Sequence, residues 1–341
     1  MDTFAFSLLG FFVVGYFLLA GADIGVGMLL PFLGHDRRLT LAAIAPFFLG
    51  NEVWLVASAG LLTALFPALE ADLFGRAWGA LIVLVAAWIL RDTGLWLRGR
   101  QEGRTWRRVW DGAIVAGSWG VAASWGVTIG VLMGGGGLLF AGTTCGLFAL
   151  HGAVFAVVRL GTDAARAVAR WVVRAALLAG VPCAVGAGTD DLGRTAPIAA
   201  ALAAVLVGAW IALARPGGAE GRARDGSAGD GWERTGSARD GSARDRSARD
   251  RSARDGSARD RSARDGRERN GWARNGWALA ASTLAITVVP LLGGLNLPHV
   301  SPADDATLTL TVIGPLVPVL LAAQAWVWWL FRDRVERPSY L

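Results

Sequence analysis

The sequence predicts an all-α polytopic membrane protein. Of its 341 residues, 54% are hydrophobic, and they are concentrated in apolar runs about as long as the roughly 20 helical residues that cross a bilayer. The alternating pattern of a transmembrane β-barrel is absent, so each run is interpreted as a helix whose backbone groups bond internally. The first run is too long for a signal-peptide core and no small-residue cleavage site follows it, so we expect it to remain in the membrane.

Nine segments are predicted to span, and we number them 1 to 9 in chain order. Their approximate ranges are 4–33, 41–66, 77–97, 111–133, 137–158, 171–187, 195–214, 277–297 and 307–331. Arginine placement gives the orientation, because basic residues accumulate on the cytoplasmic side. All 33 basic residues are arginine, and 30 of them lie in or beside the connections after segments 1, 3, 5, 7 and 9. The N-terminus is therefore predicted outside and the C-terminus in the cytoplasm.

The chain divides into three parts by composition. Residues 1–214 hold segments 1 to 7, residues 215–276 form a polar insert, and residues 277–341 hold segments 8 and 9 with a short tail. In the insert, "SARD" occurs six times at a five-residue period between Ser237 and Asp265. Such a segment cannot bury an apolar core, so we predict a disordered cytoplasmic loop. Its aspartates neutralise most of its charge, so no nucleic-acid partner is predicted.

Charged residues well inside the first three predicted helices are Asp23, Glu52, Arg91 and Asp92. Counting at about 1.5 Å per residue from the cytoplasmic ends puts Asp23, Glu52 and Arg91 at depths of roughly 15, 16 and 9 Å. We therefore expect contact among them in the inner half of the membrane, with Glu52 near its middle, since an arginine side chain reaches several ångströms. Two interpretations stay open: a buried ion pair that fixes helix packing, and a proton-conducting or cofactor-facing cluster.

Other polar candidates are few. His151 is the one histidine within a predicted helix, and a packing role is favoured over haem ligation because no second ligand accompanies it. Cys145 and Cys183 both lie in apolar segments and support neither a disulfide framework nor a metal site.

Two motifs resemble subunit II of the cytochrome bd-type quinol oxidases. The run "GADIGVGMLLPFLG" in segment 1 is similar to a glycine-aspartate motif of that family, matching it at Gly21, Asp23, Gly25, Val26 and Gly27. The run "PFFLGNEVWL" is similar to a motif of the next helix, matching it at Pro46, Gly50, Asn51, Glu52, Val53, Trp54 and Leu55. Later runs that resemble the family include "LRDTGLWLRGR" with Arg91 and "LHGAVF" with His151.

The resemblance implies a fold and a set of partners. It implies two four-helix bundles plus a peripheral helix, in a bacterial plasma membrane. It also implies pairing with a subunit I that carries haems b and d, oxidises quinol and reduces dioxygen to water. A small single-helix accessory subunit, membrane lipid and a structural quinone are further family expectations, and no metal site is expected on this chain.

The resemblance also implies site residues. The candidate proton route or polar cluster comprises Asp23, Asn51, Glu52 and Arg91, and the expected packing positions are Gly21, Gly25, Gly27, Gly50, Trp54 and His151. At Leu49 the family motif has an aspartate associated with proton delivery, so either Glu52 is the substitute or the route lies wholly in the partner subunit. A proton- or cation-coupled secondary transporter and an inactive scaffold paralogue stay open as alternatives.

Overall fold

The computed structural model describes residues 2–34, 37–134, 137–180, 192–214, 275–291, 294, 302–303, 306–333 and 335. These parts of the chain are helical and contain no β-strand, so the predicted all-α class is confirmed. The helices are α1 Asp2–Leu29, α2 Arg37–Ile44, α3 Phe48–Leu65, α4 Pro67–Leu97, α5 Arg104–Leu132, α6 Gly137–Leu160, α7 Asp163–Ala175, α8 Leu192–Ala214, α9 Asn275–Leu291, α10 Ala306–Ile313 and α11 Leu316–Leu330.

Six helices within the described ranges are long and apolar enough to cross a membrane. They are Thr3–Leu29, Phe48–Leu65, Pro67–Arg100, Arg104–Leu132, Gly137–Leu160 and Thr309–Leu330. A multi-pass membrane protein is therefore shown, whereas nine crossings stay a prediction. The "SARD" repeat, Cys183, His35 and His299 lie outside the described residues.

The two most enclosed helices are α1 and α6. α1 packs against α3, α5 and α6, while α4 packs along α5 and α7 packs against α6. α1 and α6 approach most closely at Gly25 and Gly152, where a Cβ built on Gly25 would lie 2.8 Å from the Gly152 Cα. Only glycine allows this crossing, and small residues are the usual means of close helix packing in lipid.

Segment 2 is not the single helix from 41 to 66 that the sequence predicted. α2 ends at Ile44 and α3 begins at Phe48, with a turn between them. Pro46 explains the break, because proline has no N–H to donate to the preceding turn and its ring clashes with the carbonyl there. The chain restarts as α3 when the Asn51 N–H bonds the Phe47 carbonyl at 2.9 Å.

Three other helices begin earlier than predicted, at Pro67, Arg104 and Asp163. Proline is favoured in the first turn of a helix because its missing N–H would be unpaired there anyway. α7 begins with a cap in which the Thr162 Oγ1 accepts from the Ala165 N–H at 3.2 Å. These starts are polar, so hydropathy alone did not reveal them.

Residues just after α11 are hydrogen-bonded to the end of α6, and we call this contact the clasp. The Arg159 guanidinium donates to the backbone carbonyls of Phe331 and Asp333, and it lies 5.3 Å from the centre of the Phe47 ring. The Val335 N–H returns a bond to the Arg159 carbonyl at 3.1 Å. This clasp holds the C-terminal end of α11 beside the turn between α2 and α3, so it helps to set the position of α11 along α3.

Candidate functional site

A buried ion pair joins α1 to α4. The Asp23 Oδ1 accepts from the Arg91 Nη2 at 2.7 Å, and each side chain is only 2% exposed. Asn51 on α3 donates from its Nδ2 to the Asp23 Oδ2 at 2.9 Å and to the Leu19 carbonyl at 3.0 Å. Three helices therefore meet at one carboxylate, whose burial would be strongly unfavourable without these partners.

Glu52 and Asp92 form the outer part of the same cluster. The Arg91 Nη1 donates to the Asp92 Oδ1 at 2.8 Å and to the Glu52 Oε1 at 3.2 Å. The Glu52 and Asp92 side chains are 12% and 21% exposed, whereas the Asp23 side chain is 2% exposed. The cluster is therefore buried at Asp23 and partly exposed at Glu52 and Asp92, on α3 and α4. Three carboxyl groups thus contact one guanidinium.

Sequence reasoning missed one member of the cluster, Gln324. This buried residue of α11 donates from its Nε2 to the Asn51 Oδ1 at 2.9 Å. Its Oε1 also lies beside α3, because a Cβ built on Gly50 would be 3.4 Å from it. The available signal was a lone amide in a run of apolar residues, since a polar side chain inside a membrane helix usually marks a contact with another helix.

The break in segment 2 removes the basis on which the depth of Glu52 was counted. That count assumed an unbroken segment 2, whereas Glu52 lies in the second turn of α3. At about 1.5 Å per residue, it is roughly 6 Å from the start of that helix. The depth of the cluster in the membrane therefore stays a prediction, whereas the contacts of Arg91 with Asp23 and Glu52 are present as expected.

The remaining predicted positions all lie at helix contacts. A Cβ built on Gly21 would meet the Ile286 side chain of α9, and one on Gly27 would meet the Ser118 side chain of α5. The Trp54 ring covers Gly15 of α1. These contacts place glycines on three sides of α1 against three other helices, and the functional weight of each position stays a prediction.

His151 links three helices through both of its ring nitrogens. Its Nε2 lies 2.9 Å from the Leu18 carbonyl of α1, and its Nδ1 lies 3.0 Å from the Ser282 Oγ of α9. The carbonyl can only accept, so the Nε2 carries a proton and donates it. Neither nitrogen is free to ligate a metal without losing one of these bonds.

A second charged group lies at the arginine-rich ends of the helices. Asp111 of α5 is bonded by Arg98 Nε at 2.5 Å and by Arg37 Nη1 at 2.8 Å. Asp111 and Arg98 are buried, whereas the Arg37 side chain is 38% exposed. This group ties α4 and α5 to the start of α2, and it leaves the Asp23 cluster as the deeper of the two.

Comparison with known proteins identifies the family. A family model described as "Cytochrome bd terminal oxidase subunit II" matches residues 1–228. The chain belongs to this family. It is 37% identical over 131 residues to the cytochrome bd-I ubiquinol oxidase subunit 2 of Escherichia coli. It is also 36% identical over 116 residues to the cytochrome bd ubiquinol oxidase subunit 2 of Bacillus subtilis.

These matches cover only part of each subunit II. They include 38% and 33% of this chain and 35% and 34% of the Escherichia coli and Bacillus subtilis proteins respectively. The chain therefore matches about a third of the length of its curated relatives.

Leu49 marks where this subunit II departs from the family motif. It lies on the outer side of α3 and is 51% exposed, whereas the neighbouring Asn51 is buried inside the cluster. A carboxylate at position 49 would therefore sit on the open face of α3. In this chain the carboxylates near that face are Glu52, one turn further along α3, and Asp92 on α4.

Proposed function

We propose that this chain is the non-haem subunit II of a bd-type terminal oxidase, supporting a haem-bearing subunit I that oxidises quinol and reduces dioxygen to water. The observation that carries the proposal is the family match over residues 1–228, which contains the Asp23, Asn51, Glu52 and Arg91 side chains of the buried cluster. The two relatives compared above are named as ubiquinol oxidase subunits.

The contacts of His151 support a partner subunit as the holder of the haems b and d. An axial histidine needs one free ring nitrogen, and both nitrogens of His151 are hydrogen-bonded. Among the described residues, no group of three or more His, Cys, Asp or Glu side chains could hold a metal ion. We propose that subunit I carries the iron chemistry and that this chain contributes packing and polar groups.

The Asp23 cluster is proposed to bind and pass protons. Reduction of dioxygen to water consumes protons, and charged groups inside membrane helices usually mark ion or proton pathways. With three carboxyl groups around one guanidinium, the cluster can accept a proton without losing the central ion pair of Asp23 and Arg91. Glu52 and Asp92 are partly exposed, so they are the groups at which a proton would enter or leave.

Purification through a tag on this chain tests the assembly. A second, haem-bearing chain should accompany it, with the absorbance of haems b and d and quinol-dependent oxygen uptake. A tagged protein that carries no haem and moves cations across liposomes would instead favour the secondary transporter. A haem-bearing complex without oxygen uptake would favour the inactive scaffold.

Glu52→Gln tests the proton role. If Glu52 relays protons, the variant should assemble with normal haem content but take up oxygen more slowly per haem. A purely structural role predicts less complex with normal turnover per haem. Leu49→Asp should rescue the Gln variant only under the relay, and Glu70→Gln, at the partly exposed start of α4, is the matched control that should change neither quantity.

A further inference from the structure

The helix α7 has a buried face and a basic face that the oxidase function does not use. Its buried residues recur every four positions, at Ala165, Ala169 and Val173, and they pack toward the bundle. The arginines recur at the same spacing one position later, at 166, 170 and 174. At 100° per residue, the side of the helix opposite the buried stripe carries Trp171, which is 68% exposed.

The three arginines do not have the same surroundings. Arg166 is held within the protein, since it donates to the Gly161 carbonyl at 2.9 and 3.1 Å and lies 3.6 Å from Asp163. Arg170 and Arg174 have no acidic partner within the part of the chain that the structure describes. The Arg174 guanidinium lies over the Trp171 ring, 5.4 Å from its centre. Arg174 is exposed and Arg170 is partly exposed, so two positive charges lie beside an exposed indole.

The apolar end of this surface continues along the helix. Leu178 lies seven residues after Trp171, in the π-helical turn Ala176–Gly180, and is 80% exposed. Seven residues make about two turns, so Leu178 and Trp171 share one face. Side chains on a helix lean toward its N-terminus, so Arg174 leans back toward Arg170 and away from Leu178. Toward the C-terminus, this surface therefore changes from guanidinium groups and the Trp171 indole to the aliphatic side chain of Leu178.

We propose that Arg170, Arg174, Trp171 and Leu178 form a binding site for one anionic phospholipid, in the leaflet on the arginine-rich side of the protein. Guanidinium groups bind phosphate oxygens with paired hydrogen bonds. Tryptophan is enriched where headgroups meet acyl chains. The Leu178 side chain is positioned to pack against an acyl chain. A soluble phosphate would use the arginines but would gain nothing from the exposed Trp171 and Leu178.

The row of arginines at 166, 170 and 174 is longer than the polar layer of a membrane is thick. From Arg166 to Arg174 the helix rises about 12 Å, whereas one headgroup region is roughly 5–7 Å thick. With α7 along the membrane normal, the row would cross the headgroup layer and end just inside the hydrocarbon, where Arg174 would reach back toward the phosphates. The Arg174 guanidinium lies over the ring of Trp171, which is three residues closer to the N-terminus, so the side chain extends toward the start of the helix.

Native mass spectrometry of the purified complex, titrated with phosphatidylglycerol or phosphatidylcholine, tests the site. Wild-type protein should retain phosphatidylglycerol in preference to phosphatidylcholine. Removing one arginine near an anionic surface should weaken binding about fivefold, so Arg170→Gln with Arg174→Gln should weaken it roughly 25-fold. Arg166→Gln is the matched control on the same helix and should change binding little, because Arg166 is already bonded within the protein.

Further measurements distinguish lipid binding from phosphate binding, and loss of binding from loss of folding. Trp171→Ala with Leu178→Ser should weaken phosphatidylglycerol binding, and millimolar inorganic phosphate should not displace the lipid. Each variant is first checked for an unchanged elution volume and haem content. Wild-type affinity in the double arginine variant would overturn the proposal, as would displacement by inorganic phosphate. Neither result depends on oxidase activity, so failure here leaves the proposed function intact.

Discussion

Substituting Arg91 by methionine should destabilise the protein more than any other single change in the Asp23 cluster. Arg91 is the cation shared by Asp23, Glu52 and Asp92, and its side chain is 2% exposed. Methionine fills a similar volume but leaves three carboxyl groups without a positive charge. Removing one partner of a buried pair costs about 3–5 kcal/mol, because the other charge stays buried. We expect a loss of this size in the free energy of unfolding, measured in mixed detergent micelles by tryptophan fluorescence.

The double variant Asp23→Asn with Arg91→Met decides whether this reasoning is correct. Removing both charges should recover part of the loss, with a coupling energy of about 0.5–3 kcal/mol between the two positions. The control is Arg76→Met, whose ion pair with Asp72 is 39% exposed on both sides and should contribute under about 1 kcal/mol. If the two single losses add to within about 0.5 kcal/mol, the pair is not coupled and the argument fails.

Three further outcomes are expected. Gln324→Leu should lower the free energy of unfolding by about 1–3 kcal/mol, because the Asn51 Oδ1 loses its donor. The control Gln101→Leu, at an exposed position between helices, should not lower it, and equal losses in the two variants would contradict this reasoning. Arg159→Leu should release the C-terminal residues to limited proteolysis, and an unchanged digestion pattern would show that the clasp is not needed. Replacing residues 226–267 by a short Gly/Ser linker should leave assembly and oxygen uptake nearly unchanged, and loss of the complex would show that this loop binds a partner.

The sequence predicted the all-α class from the length of its apolar runs, and it predicted the meeting of its charged helices from the cost of burying charge. Charges are so unfavourable in hydrocarbon that Asp23 and Glu52 had to find a partner, and Arg91 was the cation within reach. The contacts of Arg91 with both carboxylates are present at 2.7 and 3.2 Å. An argument from the cost of burial therefore identified the partners without knowing the tertiary structure.

The errors have an equally physical origin. A hydropathy pattern carries no information about backbone hydrogen bonding. The apolar run from 41 to 66 was therefore predicted as one helix, although Pro46 interrupts it. The depth count for Glu52 depended on that continuity and loses its basis for the same reason. Gln324 was missed because it lies 273 positions from Asn51, and no local pattern encodes so distant a contact.

The distance between Gln324 and Asn51 along the chain also has a consequence for biosynthesis. A ribosome adds about 5–20 residues per second, so roughly 14–55 s separate the synthesis of Asn51 from that of Gln324, 273 positions later. The carbonyls that Arg159 clasps are made later still, at Phe331 and Asp333. During that interval the ion pair of Asp23 and Arg91 can form, but the amide of Asn51 has one partner missing. Closure of the cluster therefore requires that translation has passed Gln324, and a product that ends before this residue leaves the Asn51 Oδ1 without its donor.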